Sequence, residues 1–78
     1  MERLTDRSRR VRARVEAAIE GSSVSQTAVA DITGIPRETL RRRLRGATAF
    51  TVDEVELIAR ALEVDFFDLM DSPERTAS

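Results

Sequence analysis

Gly34 and Pro36 sit two residues apart inside an arginine-loaded stretch, Gln26 to Gly46 (QTAVADITGIPRETLRRRLRG). No single regular helix runs through them. Glycine supplies the positive φ that a sharp helix exit demands. Proline lacks the N–H needed inside a helix but is favoured at its first position. The stretch therefore reads as two short helices joined by a tight turn. The first covers Gln26 to Thr33, with small or apolar residues at Ala28, Val29 and Ile32, and the second begins at Pro36 and runs through Arg45 to Gly46. At about 100° per residue, Leu40 and Leu44 fall together one turn apart, while Glu38, Arg41, Arg42 and Arg45 gather on the other side. One face is made for a core and the other for an anion.

The flanking segments read as helices too. Thr5 or Asp6 can cap a helix to about Glu20, with Val11, Val15, Ala18 and Ile19 as its apolar stripe. Gly21-Ser22-Ser23 ends it. Ser25 can cap the next helix, Val24 and Val29 occupy the two positions of a hydrophobic staple, and Gln26 becomes the first helical residue. Thr51 and Glu54 have the spacing of a capping box, Phe50 can staple to Val55, and the fourth helix runs to about Leu62 over Val55, Ile58, Ala59 and Leu62. Asp65 can cap a last short helix, FFDLM, from which Leu69 and one phenylalanine enter the core. This divides the chain into an N-terminal arm (1–5), a helical domain (6–70) and a polar tail (71–78) expected to be disordered.

With 78 residues there is room for one core. Cysteine and histidine are both absent, which removes disulfides, thiolate metal sites and the commonest general base, so no metal, cofactor, small-molecule ligand or enzymatic activity is expected. Asp53, Glu54 and Glu56 are accounted for by the charge preference of a helix N-terminus. No apolar run has the length of a membrane span and the charged N-terminus lacks a signal-peptide core, so a cytoplasmic protein is expected. The net charge of −1 conceals a division: eleven arginines against six acids through Gly46, a net of +5, then two arginines against eight acids, a net of −6. Such asymmetry implies that one pole meets a polyanion while the other faces solvent or a partner.

Gln26, Ala30, Gly34, Ile35, Leu40 and Gly46 stand at the first, fifth, ninth, tenth, fifteenth and closing positions of a motif that resembles the helix-turn-helix of the Cro and lambda-repressor (XRE) family. The similarity extends over roughly residues 10 to 70. It implies an all-α, compact five-helix DNA-binding domain with the helix-turn-helix in helices 2 and 3. It further implies a sequence-specific transcription regulator of double-stranded operator DNA, phage or prophage Cro-like or a minimal repressor in a bacterial host. By the same resemblance Arg37, Glu38 and Arg42, with Arg41 as an addition, read base edges. Gln26, Arg45, Thr48 and Arg10 contact phosphates.

Plainer readings stand beside these. The arginines of the first helix can be a solvated face pairing with Glu16 and Glu20, and Glu38 can pair with Arg41 or Arg42. Gln26 and Thr48 can be ordinary surface residues. Three positions depart from the family pattern, the third being Phe67, where the family usually has a polar residue. Arg43 replaces a large apolar residue, so its stem should be covered at the core edge and its head should meet an acid or a phosphate. Glu63 replaces a helix-closing glycine, which calls for a different turn or some strain. Leu57, Phe67 and Met70 are candidates for an apolar patch that suits a homodimer, at least on DNA. Two other functions remain open: an antitoxin-type protein-interaction module that also binds DNA, and an excisionase-like architectural protein.

Overall fold

The computed structural model describes residues 4–70. Five helices follow in order: α1 (Asp6–Glu20), α2 (Gln26–Thr33), α3 (Arg37–Leu44), α4 (Val52–Leu62) and α5 (Phe66–Met70). The fold is all-α, consistent with a lambda-repressor-like arrangement, and the described residues contain no strand. No helix among them is long and apolar enough to cross a membrane. Part of the N-terminal arm, Met1 to Arg3, and all of the tail from Asp71 to Ser78 lie outside the described residues.

Each start has a local cause. The Thr5 hydroxyl accepts the Ser8 N–H, that of Ser25 accepts the Ala28 N–H, and Thr51 and Glu54 form a reciprocal capping box. Asp65 Oδ1 accepts the Phe67 N–H at 2.8 Å and opens α5. The third helix differs slightly from expectation: Pro36, with φ −56° and ψ 140°, remains extended and acts as the cap, so the helix starts at Arg37. Its carbonyl still accepts the first helical bond, from Leu40 at 2.9 Å. The helix also ends at Leu44, short of Arg45.

The core joins Val11, Val15 and Ile19 of α1 to Val29 and Ala30 of α2, Ile35 in the turn, Leu40 and Leu44 of α3, Val55, Ile58 and Ala59 of α4, and Leu69. It unites α1 with α5 and α2 with α4, leaving one side of α3 uncovered. Ile32 departs from its expected apolar role and is 62% exposed, because Val29 and Ala30 already fill the inward side of so short a helix. Phe66 packs against the core while Phe67 is exposed, their rings meeting edge-on at 5.4 Å.

The turns separate two kinds of helix exit. Gly34 takes φ 81° and its N–H bonds the Ala30 carbonyl, which swings the chain from α2 into α3. Both α3 and α4 end in Schellman motifs: Gly46 N–H to Arg43 and Ala47 N–H to Arg42 in the first, Glu63 N–H to Arg60 and Val64 N–H to Ala59 in the second. Gly46 takes φ 84°; Glu63 takes φ 58° with a side chain attached. The strained alternative, not a different turn, is what closes α4.

Candidate nucleic-acid interface

The exposed side of α3 follows from its two buried leucines. With Leu40 and Leu44 fixed in the core, Arg37, Glu38, Arg41 and Arg42 are turned to solvent, and Arg45 lies exposed just past the helix end. The α2 N-terminus lies against this element. Gln26, Thr27 and Ala30 form one wall of a shallow cleft whose other wall is Arg37, Leu40 and Arg41. The capped start of α2 and the first two turns of α3 thus present one continuous polar surface. Unsatisfied N–H groups at a helix start favour an anion, and the neighbouring guanidinium groups add to this preference.

Ion pairs order the arginines without occupying all of them. Arg37 Nη2 donates to Asp31 at 3.2 Å, and Arg41 Nη1 donates to Glu38 Oε1 at 3.2 Å. These four side chains are 59–64% exposed, so each pair is worth only about 0–1 kcal/mol and is readily exchanged for a phosphate or a base. Arg42 and Arg45 have no partner among the described residues. The pairing of Glu38 with Arg41 is the plainer of the readings open to it, and it leaves the carboxylate at the surface.

Arg43 lies on the inner side. Its Nε donates to Glu54 Oε1 at 2.9 Å, its Nη2 to Glu54 Oε2 at 3.1 Å and its Nη1 to the Thr48 hydroxyl. The head has found an acid, as its position at the core edge requires. The Glu54 hydrogen bond, opposed by burial and aided by the carboxylate charge, raises the Arg43 pKa above its ordinary value. For Glu54, burial pushes the pKa up, but hydrogen bonds from Arg43 and Thr51 with the guanidinium charge outweigh it and hold the carboxyl below its ordinary value. The Thr48 side chain is thereby engaged within the protein while remaining half-buried in the loop.

The remaining candidates are dispersed. Arg10 is exposed on α1. Leu57 lies in a shallow groove on α4 with Asp53, Glu56 and Arg60, Phe67 is exposed on α5, and Met70 packs partly against the core. Three residues not assigned to this surface from the sequence also act on it. Asp31 holds Arg37 across the turn, and Glu54, legible only as a cap, holds Arg43. Arg12 of α1 donates to the Leu44 carbonyl at 3.5 Å at the end of α3. None of these contacts has a helical spacing that a sequence reading can detect.

A family model described as helix-turn-helix matches residues 15–69, from the middle of α1 into α5. The chain belongs to this family. No curated protein and no solved structure matches the chain. Helix-turn-helix domains of this XRE type bind DNA, which supports double-stranded DNA as the partner of this domain. No group of histidine, cysteine, aspartate or glutamate able to hold a metal occurs among the described residues.

Proposed function

We propose that this helix-turn-helix domain is a sequence-specific transcription regulator, Cro-like or a minimal repressor, that acts by occupying operator DNA. In this reading α3 enters the major groove. Arg37, Arg41 and Arg42 grip guanine O6 and N7, and Glu38 accepts from cytosine N4. Gln26, Arg45, Thr48 and Arg10 hold phosphates, which sets register without reading sequence. The observation that carries the proposal is the joint surface of α2 and α3: an exposed row of guanidinium groups beside an exposed, capped helix start, backed by two fully committed leucines. Homodimer contact through Leu57, Phe67 and Met70 would pair two such surfaces on one operator.

Selection from a random duplex library at about physiological salt tests this, followed by a salt titration of the enriched sequence. A G·C-containing palindrome with half-sites roughly 10 base pairs apart is the expected result for a dimer on DNA. A single half-site assigns the same reading to a monomer. Absence of enrichment over random DNA refutes the regulator and returns the exposed arginines to a solvated face, leaving an antitoxin-type interaction module as the function. Phased bending and filament formation on adjacent sites would instead identify an architectural protein.

A further inference from the structure

We propose that Arg43 is a positioning residue: it sets the pose of the recognition helix on the α4 cap and makes no contact with nucleic acid. The inference rests on the reading of α3 as the element that enters the groove. Arg43 belongs to a run of three arginines whose other two members, Arg41 and Arg42, are exposed. Its own side chain is 22% exposed and that of Glu54 16%, and three of its five donors are used inside the protein. A guanidinium held in this way has its Nε–Nη2 edge closed by the carboxylate and little of its surface left for a phosphate.

The bonds connect three pieces of backbone. Arg43 belongs to the last turn of α3, Thr48 to the loop that follows, and Glu54 to the first turn of α4. Glu54 Oε1 also accepts the Thr51 N–H at 2.9 Å, while the Thr51 hydroxyl accepts the Glu54 N–H at 3.1 Å. The loop is consequently tied at both ends to one carboxylate. From α1, Arg12 donates to the Leu44 carbonyl, and its Cδ and Nε lie 3.5 Å from where a Gly46 Cβ would be. An apolar residue at position 43 would bury surface but would leave the rotation of α3 about its own axis to packing alone. The two-point Arg–carboxylate fork fixes an angle as well as a distance. Arg42, the adjacent residue, points wherever that rotation directs it. Base readout tolerates little error there, whereas attraction to phosphate tolerates much.

The test compares Arg43→Lys, Arg43→Met and Arg45→Ala on the selected operator and on random duplex, with salt titrations, and adds amide hydrogen exchange without DNA. Arg43→Met is expected to keep the wild-type salt slope, while Arg45→Ala lowers it by about one unit. The ratio of operator to random affinity is expected to fall about tenfold in Arg43→Met, the order of one well-placed base contact. Arg43→Lys, which keeps the charge and loses the fork, is expected to lose the same ratio. In both variants, amides over 45–50 should exchange faster while those of α1 and α2 do not change. A reduced salt slope in Arg43→Met, with wild-type behaviour in Arg43→Lys, would make Arg43 a phosphate contact and overturn the proposal. Unchanged operator preference in both would reduce the pair to a stability element. If wild-type protein prefers no sequence, the regulator reading fails separately, and unchanged exchange over 45–50 then removes the positioning role as well. Should Arg43→Met fail to fold, Arg43→Lys alone decides between these outcomes.

Discussion

Replacing Glu63 by glycine should make the domain more stable, although it deletes a side chain and adds nothing. Glu63 is the residue with a side chain that takes positive φ among the described residues, at φ 58° and ψ 45°. A residue with a Cβ is about 1–2 kcal/mol less stable there than glycine. Glycine gives back about 0.4–1 kcal/mol through the greater freedom of its unfolded chain. The net gain is about 0.5–1 kcal/mol, which for a domain of this size raises Tm by about 2–8 °C. Glu63 is exposed and has no partner among the described residues, so no contact offsets this. A carboxylate just past a helix C-terminus is itself unfavourable by about 0.3–1 kcal/mol, so the charge must be separated from the backbone. Glu63→Ala does this, since it removes the charge and keeps the Cβ. Urea and thermal unfolding followed by circular dichroism should rank glycine above alanine, with equal m-values. If Glu63→Gly is no more stable than Glu63→Ala, the left-handed strain does not exist and the reasoning fails.

Gly34→Ala should lose about 0.5–1 kcal/mol net, because φ is 81° and a Cβ there meets nothing within 4 Å, so the left-handed cost of about 1–2 kcal/mol is offset only by the about 0.4–1 kcal/mol that alanine gains through its less free unfolded chain; no loss in urea unfolding would contradict it. Arg42→Ala should weaken operator binding by roughly 1–3 kcal/mol and relax preference at one base pair, whereas Arg45→Ala should lower affinity about equally on all sequences. Equal losses on operator and random duplex for both variants would void that division of roles. Glu54→Gln should destabilise by about 1–3 kcal/mol at neutral pH, since it weakens a charged pair shielded from water. The Glu54 pKa is depressed on folding, so the stability it contributes is present above its ordinary value of 4.5 and is lost as pH falls through the folded value. The gap between wild type and Glu54→Gln should therefore close in acid, and a gap independent of pH would refute the assignment.

What the sequence made legible is what one helix, cap or turn decides by itself. Thr5, Ser25, Thr51 and Asp65 open their helices because a side-chain oxygen satisfies an N–H two or three residues on, a rule with no tertiary input. Gly34 ends α2 for an equally local reason. Contacts across elements were not legible, because spacing carries no information about them: Arg43 reaches Glu54 eleven residues away through a loop, and Arg12 reaches Leu44 across thirty-two. Yet two of the departures from the family pattern, Arg43 and Glu63, did mark demands that the fold has to meet. An arginine in an apolar position must find an acid or a phosphate, and a glutamate in a glycine position must either bend the chain differently or bear strain. The fold resolves the first with Glu54 and the second with a left-handed residue. Both resolutions lie at the ends of α4, and the first ties the end of α3 and its loop to the α4 cap. The exposed arginine-bearing side of α3 and the stability of α4 are accordingly linked through Glu54. A change that loosens the α4 cap should reach the exposed side of α3, the side proposed to face DNA, through Arg43, while Glu63, at the far end of the same helix, should alter stability and leave operator preference intact.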